Sequence, residues 1–418
     1  MIVRKKLDIS WADVAFGASA CLLPGDAQAM QKRLEECWSP AGDAIACLSV
    51  RSGFDLLLAA LAWPRGSEIL VSAITISDMV RIIERHGLVA VPIDLDMDTL
   101  AMRPESISRS VTRRSKAIVA AHLFGSRMPM EPIVEVSQRH GLLVFEDCAQ
   151  AFSGDGYRGY PESDVSMFSF GPIKTATALG GALLRVRDAD LRNTMQAVQL
   201  NYRPQSQWAY LRKLFKCAAL KLLSGRLPYT LFVAGCAALR ISHDAVIGRA
   251  ARSFAGLDLF RAIRHRPSRA LLLLLLRRRL TRFDTRTIAG RVAAARVAVD
   301  HMPGIDRPGG RAAFHTRWVF PVRSGSPNRL MRRLWQAGFD ATRGASSLYV
   351  VPPPAADPGL AAAEAVRVMD SVVYLPVHAG VAKRDLARLG RVISEFHGAT
   401  PLADEGYAQF TSRFRARS

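Results

Sequence analysis

The sequence lacks any pairing of its cysteines that would indicate a metal site or a disulfide framework. No two of the six form a CxxC pair, and no histidine cluster lies near them. Structural zinc sites need closely spaced Cys or His ligands, and disulfide frameworks are typical of small secreted domains. We therefore predict no metal site and a reducing compartment. The six positions are Cys21, Cys37, Cys47, Cys148, Cys217 and Cys236.

The sequence also lacks a long apolar run. A transmembrane helix needs about 20 consecutive apolar residues, and no stretch reaches that length. The N-terminus carries Arg4, Lys5 and Lys6, but Asp8 and Asp13 follow where a secretory signal would need an apolar core. These absences predict a cytoplasmic protein.

Acidic residues are scarce relative to basic ones. The 57 basic and 36 acidic side chains give a formal net charge of +21. Such an excess favours anionic partners, such as phosphorylated substrates, nucleic acid or an anionic lipid surface, and composition alone does not choose among them. With 418 residues, of which 49% are hydrophobic, the chain is predicted to be globular and to form two domains.

Between residues 44 and 186, β-rich runs alternate with helical periodicity. This alternation predicts an α/β fold with a mostly parallel sheet and helices on both faces. Ligands bind such sheets at the carboxyl ends of the strands, where Asp147 falls. The predicted strands are 46–50, 68–72, 89–93, 117–122, 142–145 and 182–186, and the predicted helices are 27–37, 54–62, 77–86 and 130–140.

The composition changes at residues 206–286, which we name the helical insertion. Leu, Phe and Trp are interleaved there with Lys and Arg, and the acidic residues are Asp244, Asp258 and Asp284. Beyond it, a strand at 318–322, a helix at 328–337 and a strand at 372–377 predict a small α/β domain. The predicted organisation is a lead-in at 1–40, a large domain at 41–290 that contains the helical insertion, and a small C-terminal domain at 291–418.

Motifs that follow one another along residues 45–190 resemble those of the DegT/DnrJ/EryC1/StrS aminotransferases. The resemblance implies the fold type I architecture of transferases dependent on pyridoxal 5'-phosphate (PLP), with a seven-stranded, mostly parallel sheet in the large domain. It also implies PLP as cofactor and a homodimer. The motifs include RSGF at 51–54, GSEIL at 66–70, DLD at 94–96, HLFG at 122–125, EDCAQ at 146–150, FSF at 168–170 and GG at 180–181.

Two residues of this series match the family's catalytic positions. Lys174 lies in a turn flanked by small and apolar residues, and the resemblance implies that its amine binds the PLP aldehyde and later moves a proton. Burial would depress the pKa of this amine and make it a nucleophile. Asp147 follows an apolar run and matches the carboxylate that pairs with the pyridinium nitrogen, although an aspartate there also suits a helix N-cap.

Five further residues match cofactor-binding positions. Gln150 corresponds to the residue beside the phenolic oxygen of the ring. Ser52 and Gly53 stand at a helix start, where amides favour the phosphate, and Ser169 offers it a hydroxyl. Ile76 stands where family members carry an aromatic residue. An isoleucine there lacks the stacking on the pyridine ring, a contribution of about 1 kcal/mol.

Other polar residues have two interpretations each. His122 either lines the substrate side or is satisfied in the core, and the core is the more frequent case for a strand-end histidine. Arg203, in an Asn-x-Arg segment, is a candidate for reaching the partner subunit's site. Arg317 and Arg343 face either an anionic group of the substrate or solvent.

The helical insertion also has two interpretations. Its helices either pack within the protein, over the active site or on a dimer, or lie on an anionic membrane with Lys and Arg at the headgroups. Nucleic-acid binding is not expected, because no known binding module is present. The predicted function is transfer of an amino group from Glu or Gln to a keto group of a nucleotide-linked sugar, or of a related polyol or lipid-like acceptor. The alternative is a PLP-binding regulator or scaffold without transaminase activity.

Overall fold

The computed structural model of this chain describes residues 1–251, 258–279, 283–344 and 347–398. Residues 252–257 and 280–282 of the predicted helical insertion, and residues 399–418 of the predicted C-terminal domain, lie outside the described residues. Within the described ranges, none of the helices is long and apolar enough to cross a membrane.

Strands occur throughout the described chain, and the longest lie between residues 44 and 186. In chain order they are Ala44–Cys47 (β1), Glu68–Ser72 (β2), Ile74–Ile76 (β3), Val89–Ile93 (β4), Ser115–Ala121 (β5), Ser126–Arg127 (β6), Leu143–Asp147 (β7), Val165–Ser169 (β8), Ala182–Val186 (β9), Arg203–Pro204 (β10), His265–Arg266 (β11), Phe314–His315 (β12), Phe320–Arg323 (β13), Leu348–Val350 (β14) and Val372–Leu375 (β15).

Helices connect the strands and build the helical insertion. In chain order they are Trp11–Leu22 (α1), Ala27–Trp38 (α2), Val50–Leu61 (α3), Ser77–Arg85 (α4), Pro104–Ser110 (α5), Glu131–Arg139 (α6), Ala189–Leu200 (α7), Gln207–Leu223 (α8), Arg226–Ala238 (α9), His243–Ala251 (α10), Leu259–Ile263 (α11), Arg269–Arg277 (α12), Arg286–Asp300 (α13), Pro327–Gln336 (α14), Ala363–Ser371 (α15) and Lys383–Gly398 (α16).

Seven strands form one central sheet in the order β1-β9-β8-β7-β5-β2-β4. Strand β9 runs antiparallel to β1 and β8, and the remaining neighbours are parallel. The predicted α/β fold with a mostly parallel seven-stranded sheet is therefore confirmed. Because the parallel strands share a direction, their carboxyl ends meet at one edge, which places Asp147 of β7 beside Ser169 of β8.

The sheet is buried on both faces, and successive side chains of its inner strands alternate between two apolar clusters. In β5, Ala117 and Val119 join one cluster, which packs under α3, α4 and α7. Ile118 and Ala120 join the other cluster, under α5 and α6. This period of two is what a strand covered on both sides requires.

Helices α1, α2, α8 and α12 pack around a third apolar cluster beside β1. The leucine run 271–276 of α12 is buried in this cluster, except for the half-buried Leu273. Arg277 and Arg278, which follow the run, bond the buried Asp13 of α1 at 3.0 and 3.1 Å. Part of the helical insertion is therefore core, and part of its basic excess is neutralised by the N-terminal segment.

The C-terminal elements have an apolar cluster of their own. Strands β13 and β15 pair antiparallel, and α13, α14 and α16 pack on them together with Ile2. Strand β14 instead pairs with β3 beside the central sheet. The boundaries 1–40, 41–290 and 291–418 stay predictions.

Several predicted element boundaries were wrong, among them that of the first strand, which is Ala44–Cys47 instead of 46–50. Helix α3 begins at Val50 instead of residue 54, because the Ser49 hydroxyl accepts a hydrogen bond from the Ser52 amide and caps it. The predicted strand 318–322 begins at Phe320, where pairing with β15 starts, because the Val319 amide instead donates to the Phe124 carbonyl (3.4 Å).

Candidate functional site

A cavity of about 700 Å³ opens at the carboxyl edge of the central sheet. The end of β7, the end of β8, the first residues of α3 and the loop that carries Lys174 form one side of it. The N-terminal segment, residues 3–8, and side chains of the helical insertion line the other side. The cavity therefore combines the predicted catalytic residues with the N-terminal segment, which carried no prediction of a site, and with the helical insertion, which one interpretation placed over the active site.

The loop that carries Lys174 is fixed by hydrogen bonds on both sides of the lysine. The Lys174 amide donates to the Gly171 carbonyl (3.0 Å). The Thr177 hydroxyl donates to the same carbonyl (2.6 Å), and the Ala176 amide donates to the Asp8 carboxylate (2.7 Å). Ala176 has a φ of 52°, a strained conformation for a residue with a side chain. The loop thus holds the amine in a defined place at the cost of local strain.

The Lys174 amine has a pKa well below that of an ordinary lysine. Burial lowers its pKa to about 8, the nearby Asp147 carboxylate opposes this shift, and Arg51 adds to it. The Nζ atom lies 4.4 Å from the centre of the Trp318 indole. Within the described ranges it has no hydrogen-bond partner, so a large fraction of this amine is available as a nucleophile near pH 8.

Asp147 ends β7 and faces the cavity. Burial raises the pKa of its carboxyl, while the Ala149 amide, which donates to Oδ1 at 2.9 Å, and then Lys174 lower it. No helix begins after Asp147 in the described structure, where residues 149–151 form a turn, so the helix-capping interpretation was wrong and this hydrogen bond stabilises the turn instead. One carboxylate oxygen is used within the protein, and the residue still lines the cavity.

Gln150, Ser169 and Ile76 also line the cavity. The Gln150 side-chain oxygen accepts a hydrogen bond from the Phe124 amide (2.8 Å), which holds a residue with a φ of 57°. The Ser169 hydroxyl lies 3.5 Å from the Gly171 amide. These three predicted positions are brought together with Lys174 and Asp147.

Ser52 and Gly53 do not line the cavity. The Ser52 amide donates to the Ser49 hydroxyl (3.1 Å), and the Gly53 amide donates to the Ser49 carbonyl (3.0 Å). A side chain at Gly53 would meet Leu184 of β9, so its missing Cβ serves helix packing. The cavity-lining residues of this helix start are instead Val50 and Arg51, because α3 begins earlier than the periodicity predicts.

A buried polar cluster lies beneath Asp147. His122 Nε2 lies 2.9 Å from Glu146 Oε2, and the Tyr157 hydroxyl donates to the same oxygen at 2.6 Å. Burial alone would raise the pKa of Glu146, but these two partners lower it to about 2. His122 Nδ1 accepts from the Met128 amide. The core interpretation of His122 is therefore the observed one. Cys148 is also close, and since His122 and Glu146 already have protein partners, we assign no metal to this cluster.

Arg203, Arg317 and Arg343 do not line the cavity. Arg203 lies in β10, which pairs with β11 of the helical insertion. Arg343 donates to the carbonyls of Met369 and Asp370 in the C-terminal part. The structure gives none of these arginines a place at the candidate site.

Sequence reasoning missed several cavity-lining residues, among them Lys5, Arg51, Arg291 and Trp318. Arg51 lies in the RSGF motif at 51–54. Its Nε donates a hydrogen bond to the Asp78 carboxylate (2.6 Å), a pairing that sequence position does not reveal. The only sequence signal for Lys5 was the charged N-terminal run. Arg291 and Trp318 gave no signal, because they approach Lys174 only through the fold.

The donor set fits PLP. A buried amine with no hydrogen-bond partner in the described part of the chain and a carboxylate lie close enough to shift each other's pKa. Ser169 and the first residues of α3 lie in the same cavity, where they could hold the phosphate. Ile76 supplies an aliphatic face, where an aromatic ring would add stacking.

Known proteins share this sequence pattern and fold. The sequence model of the DegT/DnrJ/EryC1/StrS aminotransferase family matches residues 25–214. The solved structure of sugar aminotransferase CalS13 from Micromonospora echinospora is similar, with 20% identity, a TM-score of 0.66, and coverage of 94% of this chain and all of that one. DesI, crystallised in the presence of its TDP-sugar product, has 18% identity, a TM-score of 0.64, and coverage of 99% of this chain and 95% of that one.

A third similar structure is the PMP-form of a putative sugar aminotransferase, Spr1654 from Streptococcus pneumoniae. It has 15% identity and a TM-score of 0.67, and the alignment covers 95% of this chain and all of that chain. At these identities the three structures establish the fold, and the family match covers the segment that contains Asp147 and Lys174.

Proposed function

The chain belongs, through residues 25–214, to the DegT/DnrJ/EryC1/StrS aminotransferase family, and from this premise we propose that it aminates a sugar. It is a PLP-dependent aminotransferase. We infer that glutamate or glutamine supplies the amino group and that a keto group on a nucleotide-linked sugar receives it. The observation that carries the proposal is the joint position of Lys174 and Asp147 in one cavity.

The residues of the cavity suit a proton-transfer role around such a cofactor. Bound PLP would supply the electron sink for the carbon that loses or gains the amine. The Asp147 carboxylate would hold a proton on the ring nitrogen. The Lys174 amine, with a pKa of about 8, would take a proton from one carbon and return it to another, since its pKa lies near the working pH.

A sugar acceptor is supported by the similar structures. CalS13 is described as a sugar aminotransferase, and DesI was crystallised with a TDP-sugar product. A cavity of about 700 Å³ is large enough for such a ligand. A polyol or lipid-like ketone remains the alternative acceptor to be compared with it.

Spectroscopy of the purified protein tests the proposal. The wild-type protein should carry a visible absorbance band after incubation with PLP, and glutamate should convert that band. Lys174→Ala should lose the band while Lys116→Ala, a control outside the cavity, keeps it. Retention of PLP without any response to amino donors would favour the regulator or scaffold instead.

We further propose that one face of the helical insertion contacts an anionic lipid surface. Trp208, Phe215 and Leu222 of α8 are spaced by seven residues, so they share one helix face, and each is more than 60% exposed. Leu227 and Leu231 of α9 are exposed as well. Residues 191–243 contain no Asp or Glu. An apolar face that is rimmed by cations and free of acids matches an anionic bilayer surface.

Co-sedimentation with vesicles tests this contact. Wild-type protein should bind phosphatidylglycerol vesicles, bind phosphatidylcholine vesicles less, and lose binding at high salt. The triple variant Trp208→Ser, Phe215→Ser, Leu222→Ser should lose binding, whereas Leu200→Ser, at an exposed leucine of α7, should keep it. If the triple variant instead converts a dimer to a monomer in light scattering and vesicles never bind, a second copy covers this face.

We also propose that the enzyme is a homodimer, as the family resemblance implies. Light scattering should give twice the chain mass. The same measurement on the triple variant of α8 should be unchanged if the dimer uses another surface.

A further inference from the structure

The cavity contains more positive than negative charge. Of the acidic residues that line it, Asp78 is paired with Arg51, Asp340 with Arg4, and Asp8 lies 3.2 Å from Arg278. The basic side chains of Lys5, Lys6 and Arg291 line the same cavity. Within the described ranges, none of these three cations has a carboxylate at ion-pair distance.

Arg291 is the most constrained of these cations. It lies on α13 and only 8% of it is exposed. Its Nη1 and Nη2 atoms both donate to the Thr175 hydroxyl at 3.2 Å, and its Nε has no hydrogen-bond partner in the described residues. Burial lowers the pKa of Arg291, and Asp8 only partly opposes this. A buried guanidinium without a carboxylate partner among the described residues is energetically costly, so an anionic ligand at this position would stabilise it.

Lys5 extends this positive region toward Lys174. Its Nζ donates to the Trp318 carbonyl (3.3 Å) and lies 3.9 Å from the centre of the Trp318 indole. Lys174 Nζ approaches the same ring at 4.4 Å. Burial, then Arg291 and Lys174, lower the pKa of Lys5. Lys5 is therefore close enough to Arg291 and Lys174 to sense their positive charges, and Asp8 opposes their effect on its pKa.

The neighbouring His378 supplies no counter-charge. The Gly380 amide donates to its Nδ1 (3.2 Å), so the Nε2 atom carries the proton and donates to the Val3 carbonyl (3.1 Å). This arrangement is that of a neutral imidazole. Burial lowers the pKa of His378 and keeps it neutral. This side chain therefore does not balance the positive charge of the three cations.

We propose that Lys5 and Arg291 form an anion subsite that binds a carboxylate or phosphate group of a substrate whose reacting carbon lies at Lys174. The inference rests on the proposed aminotransferase function and adds the recognition of an acidic substrate group. Arg291 supplies a planar fork suited to two oxygens of one anion, and Lys5 supplies a point charge. The source of the anion is either the carboxylate of the amino donor or the diphosphate of a nucleotide-linked acceptor.

Calorimetric titration of the PLP-loaded protein with two probes tests the subsite. Succinate represents the donor carboxylate and inorganic pyrophosphate represents the acceptor diphosphate. Lys5→Gln and Arg291→Gln should each weaken binding of at least one probe by about tenfold or more, as expected for the loss of a charged hydrogen bond. Arg296→Gln removes an exposed arginine from the same helix and should leave both affinities unchanged.

Each result has one meaning. Weaker succinate binding supports the subsite and assigns it to the donor, and weaker pyrophosphate binding supports it and assigns it to the acceptor. The proposal is overturned if the wild type binds neither probe, or if Lys5→Gln and Arg291→Gln bind both as Arg296→Gln does. If Arg291→Gln does not fold, Lys5→Gln decides the outcome alone. The titration can be repeated without PLP, which separates failure of the subsite from failure of the proposed function.

Discussion

The sheet region, residues 44–186, and the helical insertion differ in how completely each is packed within the chain. Among the described residues, the large hydrophobic side chains that are strongly exposed include none from the sheet region, whereas the helical insertion contributes several, among them Trp208, Phe215 and Leu239. The sheet region buries its apolar surface on both faces. The sheet region therefore buries its apolar side chains within the chain, whereas the helical insertion leaves large apolar side chains exposed, as binding surfaces do.

The largest effect is expected on the rate of amino transfer, from substitutions of Asp147 in the sheet region. Asp147→Ala should lower the rate of amino transfer by about 10³-fold, of the order that one positioned proton-holding group contributes. Asp147→Asn should lower the rate nearly as much, because asparagine keeps the shape of the side chain but lacks its negative charge. Steady-state kinetics with glutamate measure both variants. An unchanged rate in Asp147→Asn would remove this carboxylate from the mechanism.

The next largest effect is expected on stability, from substitution of Asp340, which joins the helical insertion to the C-terminal elements. Asp340 accepts hydrogen bonds from Arg4 Nε (2.8 Å) and from the Tyr229 hydroxyl of α9 (2.6 Å), and His243 of α10 lies 3.5 Å away. Asp340→Ala removes the acceptor of the Tyr229 hydroxyl and leaves Arg4 with Asp244 as its remaining carboxylate partner. It should lower the free energy of unfolding by about 3 kcal/mol. Thermal denaturation beside the exposed control Asp357→Ala measures it. Equal stability of the two variants would contradict this attachment.

The same attachment should depend on pH. Burial raises the pKa of Asp340, but His243, Arg4 and Tyr229 together have the larger, opposite effect and bring it down to about 2. Because an unfolded aspartate has a pKa of about 3.9, the contribution is complete above about pH 4 and is lost as the pH falls toward 2. Asp340→Ala should show a smaller loss of stability over that interval than the wild type.

A pair of glycine substitutions compares the packing of the two regions directly. A Cβ at Gly53 would lie 2.7 Å from Leu184 Cδ1, so Gly53→Ala should destabilise the protein by about 1–2 kcal/mol. At Gly235 of α9, an added Cβ would meet no atom within 4 Å, and Gly235→Ala should stabilise by about 0.5–1 kcal/mol. Chemical denaturation gives both values. Changes of the same sign would remove the contrast between the regions.

The smallest effect is expected on the pKa of the Lys174 amine. Capture of pyridoxal by Lys174, trapped by borohydride, should rise with pH around a midpoint near 8, where the amine loses its proton. Asp147 raises this pKa and Arg51 lowers it, so Asp147→Asn should move the midpoint down and Arg51→Gln should move it up, each by less than about one pH unit. Shifts in one direction for both would contradict the assigned electrostatics.

The sequence allowed the sheet region to be predicted well because its signals are local. Strands β2, β4 and β9 have the predicted bounds, and Asp147 follows a buried strand. The start of α3 was misplaced because Ser49 caps it, and a capping bond overrides hydrophobic periodicity. Lys5 and Arg291 could not be joined to Lys174 in advance, because only the tertiary fold brings these positions, far apart in the sequence, to one cavity.

The most direct test is to identify the lysine that binds PLP. The PLP-loaded protein is reduced with borohydride, digested and analysed by mass spectrometry. We predict a phosphopyridoxyl group on the peptide that contains Lys174, and its loss in Lys174→Ala. A modification on another lysine of the cavity, such as Lys5, or no modification at all, would contradict the account.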